Sequence, residues 1–459
     1  MPVVKMMLPA KTEAEMAGES LVTRLRVAGF QGWFVGGAVR DRLLGREPHD
    51  IDIATDATPE QVETVFEGRA RPLSARLGLV IVLWGGHELQ VATFRAGADP
   101  AIQWKMDGQS SFGKTVEEDA AHRDFTINQI FYDPIAQVAV DRFGGQGDII
   151  AKVIRATGNP RARMAEDWLR MIRAVRFALQ LGFDIHPDTE AAIKAEAPSV
   201  PLLRGPRVFE ELSKILTGPN PAFAVRLLDD LGLLRAIVPE VTACKGVEQP
   251  VKWHPEGDVW IHTTLALTSL PPNPDPRLAW AVLLHDIGKP PTAKVKPDGV
   301  NTFPGHSVKG AGMVEEVFIR LFAPLDFSDD VRRMVKHHMD FAMVKRMKKA
   351  TIRRMTLRTT FSLEMELHRC DCTGRPELVR EMEEMAGTLK ALAEVPAPPP
   401  LVTGADVLAL GVPTGPLIGK VLRIIRDLQF GERLSTREEA LARLPGIVRG
   451  QQGMAASAT

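Results

Sequence analysis

The sequence predicts an α+β fold, with one small mixed sheet in roughly the first 155 residues and helices from there to the end. GWFV, HDIDIAT, LGLVIVLW and HELQVATFR are apolar or alternating segments bounded by turn residues, and all four lie before Ala96. Beyond Arg155 strand signals fade and apolar residues recur at helical spacing. At about 100–200 residues per domain, the 459 residues imply two to four domains. The 45% hydrophobic and 25% charged content is that of ordinary globular protein, which excludes intrinsic disorder, collagen-like repeats and a disulfide scaffold. The three cysteines, Cys244, Cys370 and Cys372, lack metal-type spacing and indicate a reducing, cytoplasmic setting. One short apolar patch near the N-terminus is interrupted by Lys5, and no apolar run is long enough to span a bilayer, so neither a signal peptide nor a membrane span is expected.

Each element follows in order. Glu13 to Ala28 has helical spacing and stops at Gly29. GWFVGGAVRDRLLG gives an apolar strand, the Gly36-Gly37 pair, and a helix from near Val39 closed by Gly45. HDIDIAT is a short alternating strand, and in ATPEQVETVF Thr58 is the N-cap with Pro59 at the first helical position. LGLVIVLW and HELQVATFR pair across Gly85-Gly86. Ala96 to Ala120 is polar and glycine-containing and reads as a mobile loop. Two proline-rich joints interrupt the helical part: Pro271 to Arg277 as a helix–helix loop, and Val395 to Gly404 as a domain boundary.

Chemistry enters at the glycine pair. Glycines between a strand and a helix let the backbone approach a phosphate, and Arg40 adds a fork of donors. In Asp50-Ile51-Asp52 the carboxylates are two residues apart on a strand, so both project from one face while Ile51 and Ile53 point into the core. Two such carboxylates repel unless a cation joins them, and oxygen ligands of this kind suit Mg²⁺ beside a substrate phosphate.

GGAVRDRLLG…HDIDIAT resembles the signature of the tRNA CCA-adding enzymes and bacterial poly(A) polymerases, class II of the polymerase-beta-like nucleotidyltransferases. The resemblance continues through HRDFTIN (His122 to Asn128), DRFGGQGDI (Asp141 to Ile149), EDWLRMIRAVRF (Glu166 to Phe177), RVFEELSKIL (Arg207 to Leu216) and a tail segment, Thr403 to Leu422. It implies a nucleotidyltransferase head over residues 1–155, a helical neck over 156–240, an HD-containing helical body over 241–395 and an RNA-binding helical tail over 396–459. By the same resemblance Gly37 and Arg40 hold a triphosphate, Asp50 and Asp52 bind Mg²⁺, and Arg123 contacts nucleotide. Asp124 and Asn128 brace the site or act as local caps, and His122 stands where a second Arg is common. The chain departs from the pattern at Gln90, where Glu is expected; Glu88, two residues earlier on the same strand face, is the alternative third ligand.

The fourth motif also has a bonding rationale. Asp167 and Arg170, three apart on an expected helix, would be neighbours on its surface. A carboxylate accepts from an exocyclic amino group and a guanidinium donates to a ring acceptor, so one pair can accept cytosine and adenine and reject uracil and guanine. Arg173 and Arg176 continue the row toward phosphate, RNA or an acidic partner.

WHPEGDVWIHT, LLHDIGKP, FPGHSVKGAG, VKHHM and HRCDCTGR resemble the HD-domain phosphohydrolase pattern, with His262, His285, Asp286 and Asp371 as ligands of a second divalent metal. His306, with His337 or His338, makes a second metal position or contacts a phosphate. From Arg332 to Arg358 ten Lys and Arg face one acid, Asp340, and this strip is expected to follow the phosphates of an RNA acceptor stem. The formal net charge of zero therefore averages over unlike regions. The reaction implied by the resemblance is Mg²⁺-dependent addition of CMP and AMP, from CTP and ATP, to a tRNA 3′ end. Its rivals are poly(A) polymerase, CC-only or A-only addition, and an HD phosphohydrolase with a nucleotide-sensing head. The intact Asp50 and Asp52 speak against the last of these.

Overall fold

The computed structural model describes residues 3–5, 11–48, 50–74, 77–96, 112–199 and 205–456, and the chain divides into two units, Met1–Thr242 and Ala243–Thr459. The first unit holds a sheet of strands β1 (Val3–Lys5), β2 (Trp33–Val35), β3 (Asp52–Thr55), β4 (Ala70–Ser74), β5 (Leu79–Trp84), β6 (His87–Thr93), β7 (Phe131–Asp133) and β8 (Val138–Val140). Their order is β1-β8-β7-β2-β3-β6-β5-β4. β2 runs antiparallel to β3 with Val35 opposite Asp52, and β3 runs parallel to β6 with Asp52 opposite Gln90. Ile51 and Ile53 are buried as the alternation requires, whereas Asp50 is exposed and precedes the strand proper.

Helix α1 (Glu13–Val27) starts at a capping box in which Thr12 and Glu15 exchange bonds, and it buries Leu21, Val22 and Leu25. Helix α2 (Gly37–Leu43) is tied to it by a buried ion pair between Arg42 and Glu15. Helix α3 (Pro59–Val65) begins at a Thr58 capping box with Pro59 in first position, as its sequence requires.

Four strands escaped the periodicity. β1, β7 and β8 are three residues long, too short to show alternation, and β7 is buried throughout. β4 contains Pro72, which a strand tolerates at a sheet edge; β4 is the edge and bulges between Pro72 and Ser74. Of the loop expected over Ala96 to Ala120, residues 97–111 lie outside the described residues, and so does His49 of HDIDIAT. The remainder is ordered: Arg95 bridges Phe112, and Val116–His122 is a helix capped by Thr115. A buried side of that helix, rather than its polar composition, decided its structure; Val116 and Ala120 join Val35, Ala54, Phe94 and Phe131 in one core cluster.

The rest of the first unit is helical apart from the short pair Val153–Ile154 and Asp184–Ile185. Helix Leu169–Leu181 is buried on nearly every side and packs Phe177 edge-on against Phe125. In the second unit, helices Val259–Leu267, Pro276–Leu284, His306–Leu321, Leu325–His337 and Phe361–Asp371 carry His262, His306, His337 and His368, with His285 and His338 capping two of their C-terminal ends. The expected loop from Pro271 to Arg277 ends at Asp275, which caps the helix that Pro276 begins. After the proline joint, Val407, Val421, Ile425, Leu434 and Leu444 form a separate cluster. No helix among the described residues is long and apolar enough to cross a membrane.

Candidate functional site

Gly36 adopts φ 73° and ψ −135°, which L side chains avoid. A Cβ there would stand 3.5 Å from Asp52 Oδ2 and 3.7 Å from Arg123 Nη1. The turn thus brings the strand carboxylate and an arginine of the second motif to one point. Burial raises the Asp52 carboxyl above its ordinary value; Arg123 opposes the shift and neighbouring Asp50 adds to it. A half-buried carboxylate pressed by a second one is what a divalent cation relieves, so the donor set fits Mg²⁺.

Arg123 is aimed by Asp119, whose Oδ2 accepts from Arg123 Nε at 3.0 Å and Nη2 at 2.7 Å. Asp119 Oδ1 accepts from the Arg95 backbone and Nε. Burial alone would raise the Asp119 carboxyl, but Arg123 and Arg95 hold it at about 2. Gln90 occupies the expected third-carboxylate place, directly opposite Asp52. Glu88 is exposed and paired with Arg71 at 3.1 Å, so it does not join Asp52.

Arg40 does not offer the expected fork. Its Nε and Nη2 are bonded to Asp41 and its Nη1 to Asn128 Oδ1 at 2.9 Å, while the guanidinium lies over the Phe177 ring. Asn128 in turn donates to Asp124, which receives Arg173 through Nε at 2.9 Å and Nη2 at 2.6 Å. Asp124 and Asn128 are therefore braces. Arg173 and Arg176 meet an acidic partner, Glu211, inside the protein and flank Phe177. The sequence placed them toward phosphate, RNA or an acid, and tertiary packing chose the acid.

Asp167 and Arg170 are not neighbours on one helix. Asp167 breaks the chain between helices Pro160–Glu166 and Leu169–Leu181, with φ −146°, and its Oδ1 accepts from the Leu169 amide at 3.0 Å. Its Oδ2 faces Arg207 at 3.7 Å. Arg170 is buried and bonded to Glu166 at 2.7 Å, to the Arg163 carbonyl and to the His122 carbonyl. Glu166 and Glu211 carry no signal of their own in the sequence, because helices throughout the chain are rich in such acids.

In the second unit His262, His285, Asp286 and Asp371 come together. His262 Nε2 lies 3.2 Å from His285 Nε2, 3.1 Å from Asp371 Oδ1 and 3.7 Å from Asp286 Oδ2. On the other side of Asp286, His306 and His338 stand 3.7 and 3.8 Å from Oδ1, with their Nε2 atoms 3.2 Å apart. Two triads of possible ligands thus share Asp286. His337 is excluded, because it pairs with Asp340 at 3.0 Å. Gly288, which follows the His-Asp pair, permits this convergence; a Cβ there would fall 2.1 Å from the His306 carbonyl.

The four inward histidines are oriented alike. Nδ1 of His285, His306 and His338 donates to the carbonyls of Val282, Phe303 and Val335, and His262 Nδ1 donates to Glu256, leaving every Nε2 turned to the centre. This is the arrangement of metal-ligating imidazoles. Asp286 is buried, and its Oδ1 accepts no hydrogen bond. Burial opposes charge on His262, yet Asp371 and Glu256 raise it to about 9. Burial lowers His338 to about 4. The hollow calls for a cation, and its mixed imidazole and carboxylate donors fit a divalent transition metal.

The basic strip is largely spent. Arg332, Arg333, Lys345, Lys349, Arg354 and Arg358 each touch a carboxylate, and Arg353 is buried on the carbonyls of Leu392, Val395 and Pro396. Only Lys336, Arg346 and Lys348 remain exposed without such a partner among the described residues.

Residues 32–155 match the Poly A polymerase head domain, residues 182–245 the probable RNA and SrmB-binding site of polymerase A, and residues 260–373 the HD domain. The CCA-adding enzyme of Geobacillus thermodenitrificans is 41% identical over 268 residues, 58% of this chain and 62% of its own. Poly(A) polymerase I of Haemophilus influenzae is 35% identical over 232 residues, 49% of this chain and 51% of its own. The chain spans about half the length of the curated relatives it matches. The crystal structure of the Bacillus stearothermophilus CCA-adding enzyme in complex with CTP aligns with a TM-score of 0.70 at 26% identity, covering 97% of this chain and 100% of that one.

Proposed function

We propose that this chain, which matches the Poly A polymerase head and HD domains and is similar to CCA-adding enzymes, adds CMP and AMP, from CTP and ATP, to the 3′ end of tRNA. The observation that carries this reading is the meeting of Asp52 and Arg123 at the Gly36 turn, with Asp50 close enough to act on the Asp52 carboxylate. Asp50 and Asp52 would hold Mg²⁺, which when bound would lower the pKa of the RNA 3′-hydroxyl and neutralise charge on the departing pyrophosphate.

The chain's own residues do the rest. The absence of a side chain at Gly36 leaves room for phosphate beside Asp52. Asp119 engages one edge of Arg123, so the remaining Nη1 faces that space and pairs with a phosphate oxygen. Arg40 and Asn128 keep the glycine turn in place on the Phe177 platform. Arg170, fixed by Glu166, donates to the ring acceptor of cytosine or adenine, and Asp167 accepts the exocyclic amino group. In the second unit His262, His285, Asp286 and Asp371 would hold a divalent metal, which would supply phosphoester hydrolysis, with His306 and His338 on the far side of Asp286.

The test offers tRNA lacking CCA, then tRNA ending in CC, with each nucleoside triphosphate separately. Two cytidylates are expected with CTP alone on the tRNA lacking CCA, one adenylate with ATP alone on the tRNA ending in CC, and a fixed three-nucleotide product when CTP and ATP are supplied together. An adenylate ladder would assign the activity to poly(A) addition, the reading that the Haemophilus relative keeps open. If Asp52→Ala leaves addition intact, the carboxylate assignment is wrong.

A further inference from the structure

Glu256, which the sequence patterns did not single out, lies in the segment between Gln249 and Asp258. Its side chain is 7% exposed, and its Oε1 accepts from His254 Nδ1 at 2.9 Å and from His262 Nδ1 at 2.8 Å. Among the four inward histidines described above, His262 alone has an anion behind it; the other three donate Nδ1 to neutral main-chain carbonyls. An anionic acceptor makes an imidazole the more basic ligand and fixes its ring and tautomer.

The same segment reaches two other candidate ligands. Gln249 Oε1 accepts from Lys289 Nζ at 2.7 Å, and that ammonium lies 2.6 Å from Asp286 Oδ2. The Trp253 carbonyl accepts from Arg375 Nη1 at 3.2 Å, and Arg375 Nη2 donates to the Asp371 carbonyl and to its Oδ1. Gln249 also donates to the Gly257 carbonyl, closing the segment on itself. One stretch of ten residues therefore backs His262, Asp286 and Asp371.

We infer that Glu256 is a positioning residue that makes His262 the anchoring ligand of a divalent transition metal, and that Gln249 to Asp258 is a clasp whose order is coupled to metal occupancy. The inference rests on the metal centre proposed above. It names the residues outside that centre which set its affinity.

The test titrates Co²⁺ alone as the probe into the full chain, in excess Mg²⁺ so that the all-oxygen head carboxylates are occupied, following calorimetry and the cobalt d–d absorption. Glu256→Gln keeps the shape and one acceptor but loses the charge, and Glu256→Ala loses both. Affinity is expected to fall in the order Glu, Gln, Ala, by about 10- to 100-fold in total. Equal affinity in all three overturns the role of Glu256, while failure of the unaltered chain to bind Co²⁺ removes the metal centre itself and this inference with it. A second measurement does not depend on folding of a variant. Trypsin cleavage after exposed Lys252 in the unaltered chain, read by mass spectrometry, should slow at saturating Co²⁺. Equal cleavage rates with and without the ion overturn the clasp.

Discussion

Arg170 shows how a residue's role depends on what braces it. Glu166 and two main-chain carbonyls fix the guanidinium in a buried place, so the base-reading geometry proposed for it is set before nucleotide arrives. Arg170→Ala should lower discrimination against UTP and GTP by about 10- to 100-fold, the worth of a hydrogen bond to a charged group, as measured by kcat/KM with each nucleotide. Unchanged selectivity would remove Arg170 from base reading. Asp119 makes a prediction about pH. Its carboxyl sits at about 2 in the folded chain against an ordinary 3.8, so it binds its proton more readily when unfolded. The resulting stabilisation, about 2 kcal/mol, is fully present above roughly pH 4 and is lost as pH falls toward 2. Urea unfolding between pH 5 and pH 2.5 should therefore be less steeply acid-dependent in Asp119→Asn; an identical slope would mean that the pairing with Arg95 and Arg123 does not set it. At this scale the sequence offered the right residue types. It did not show their partners, because Arg173 meets Asp124 across 49 positions and Arg42 meets Glu15 across 27.

At the scale of elements, caps and prolines were legible and short strands were not. Thr12, Thr58 and Thr115 each begin a helix through local bonds that four neighbouring residues determine. β7 pairs with β8 and β2, and β8 with β7 and β1, and no local preference specifies that. The break at Asp167 likewise escaped, because an apolar spacing continues through it although the backbone does not. Helix Pro276–Leu284 places Trp280 in full burial against Phe318, with ring centroids 5.3 Å apart. Trp280→Ala should cost about 3–5 kcal/mol in chemical unfolding, and a loss below 1 kcal/mol would show that the surrounding helices collapse into the space. Gly288→Ala places a methyl group against backbone at the crossing that delivers His306. Weaker Co²⁺ binding is expected, with nucleotide addition by the head retained; undiminished binding would show that the crossing yields without moving His306.

For the whole molecule, 57 basic and 57 acidic residues cancel, and most of the cations from Arg332 to Arg358 cancel again at close range. Salt dependence of tRNA binding should therefore follow Lys336, Arg346 and Lys348. Replacing all three by Ala should flatten the slope of log K against log salt by about two to three, whereas replacing paired Lys345, Lys349 and Arg354 should change it less. The reverse ranking would return the role to the whole strip. The sequence by itself determined which segments are helix or strand where local bonds suffice, the carboxylate pair at the head of β3, and the histidines available to the second unit. Those are matters of period and residue type, which neighbouring positions specify. Only the tertiary structure decided that Gln90 faces Asp52, that His338 rather than His337 turns inward, and that Arg40, Arg173 and Arg176 are spent on internal acids and amides. Each of those outcomes depends on which groups meet across long stretches of chain, and a buried charge takes the partner that packing brings to it.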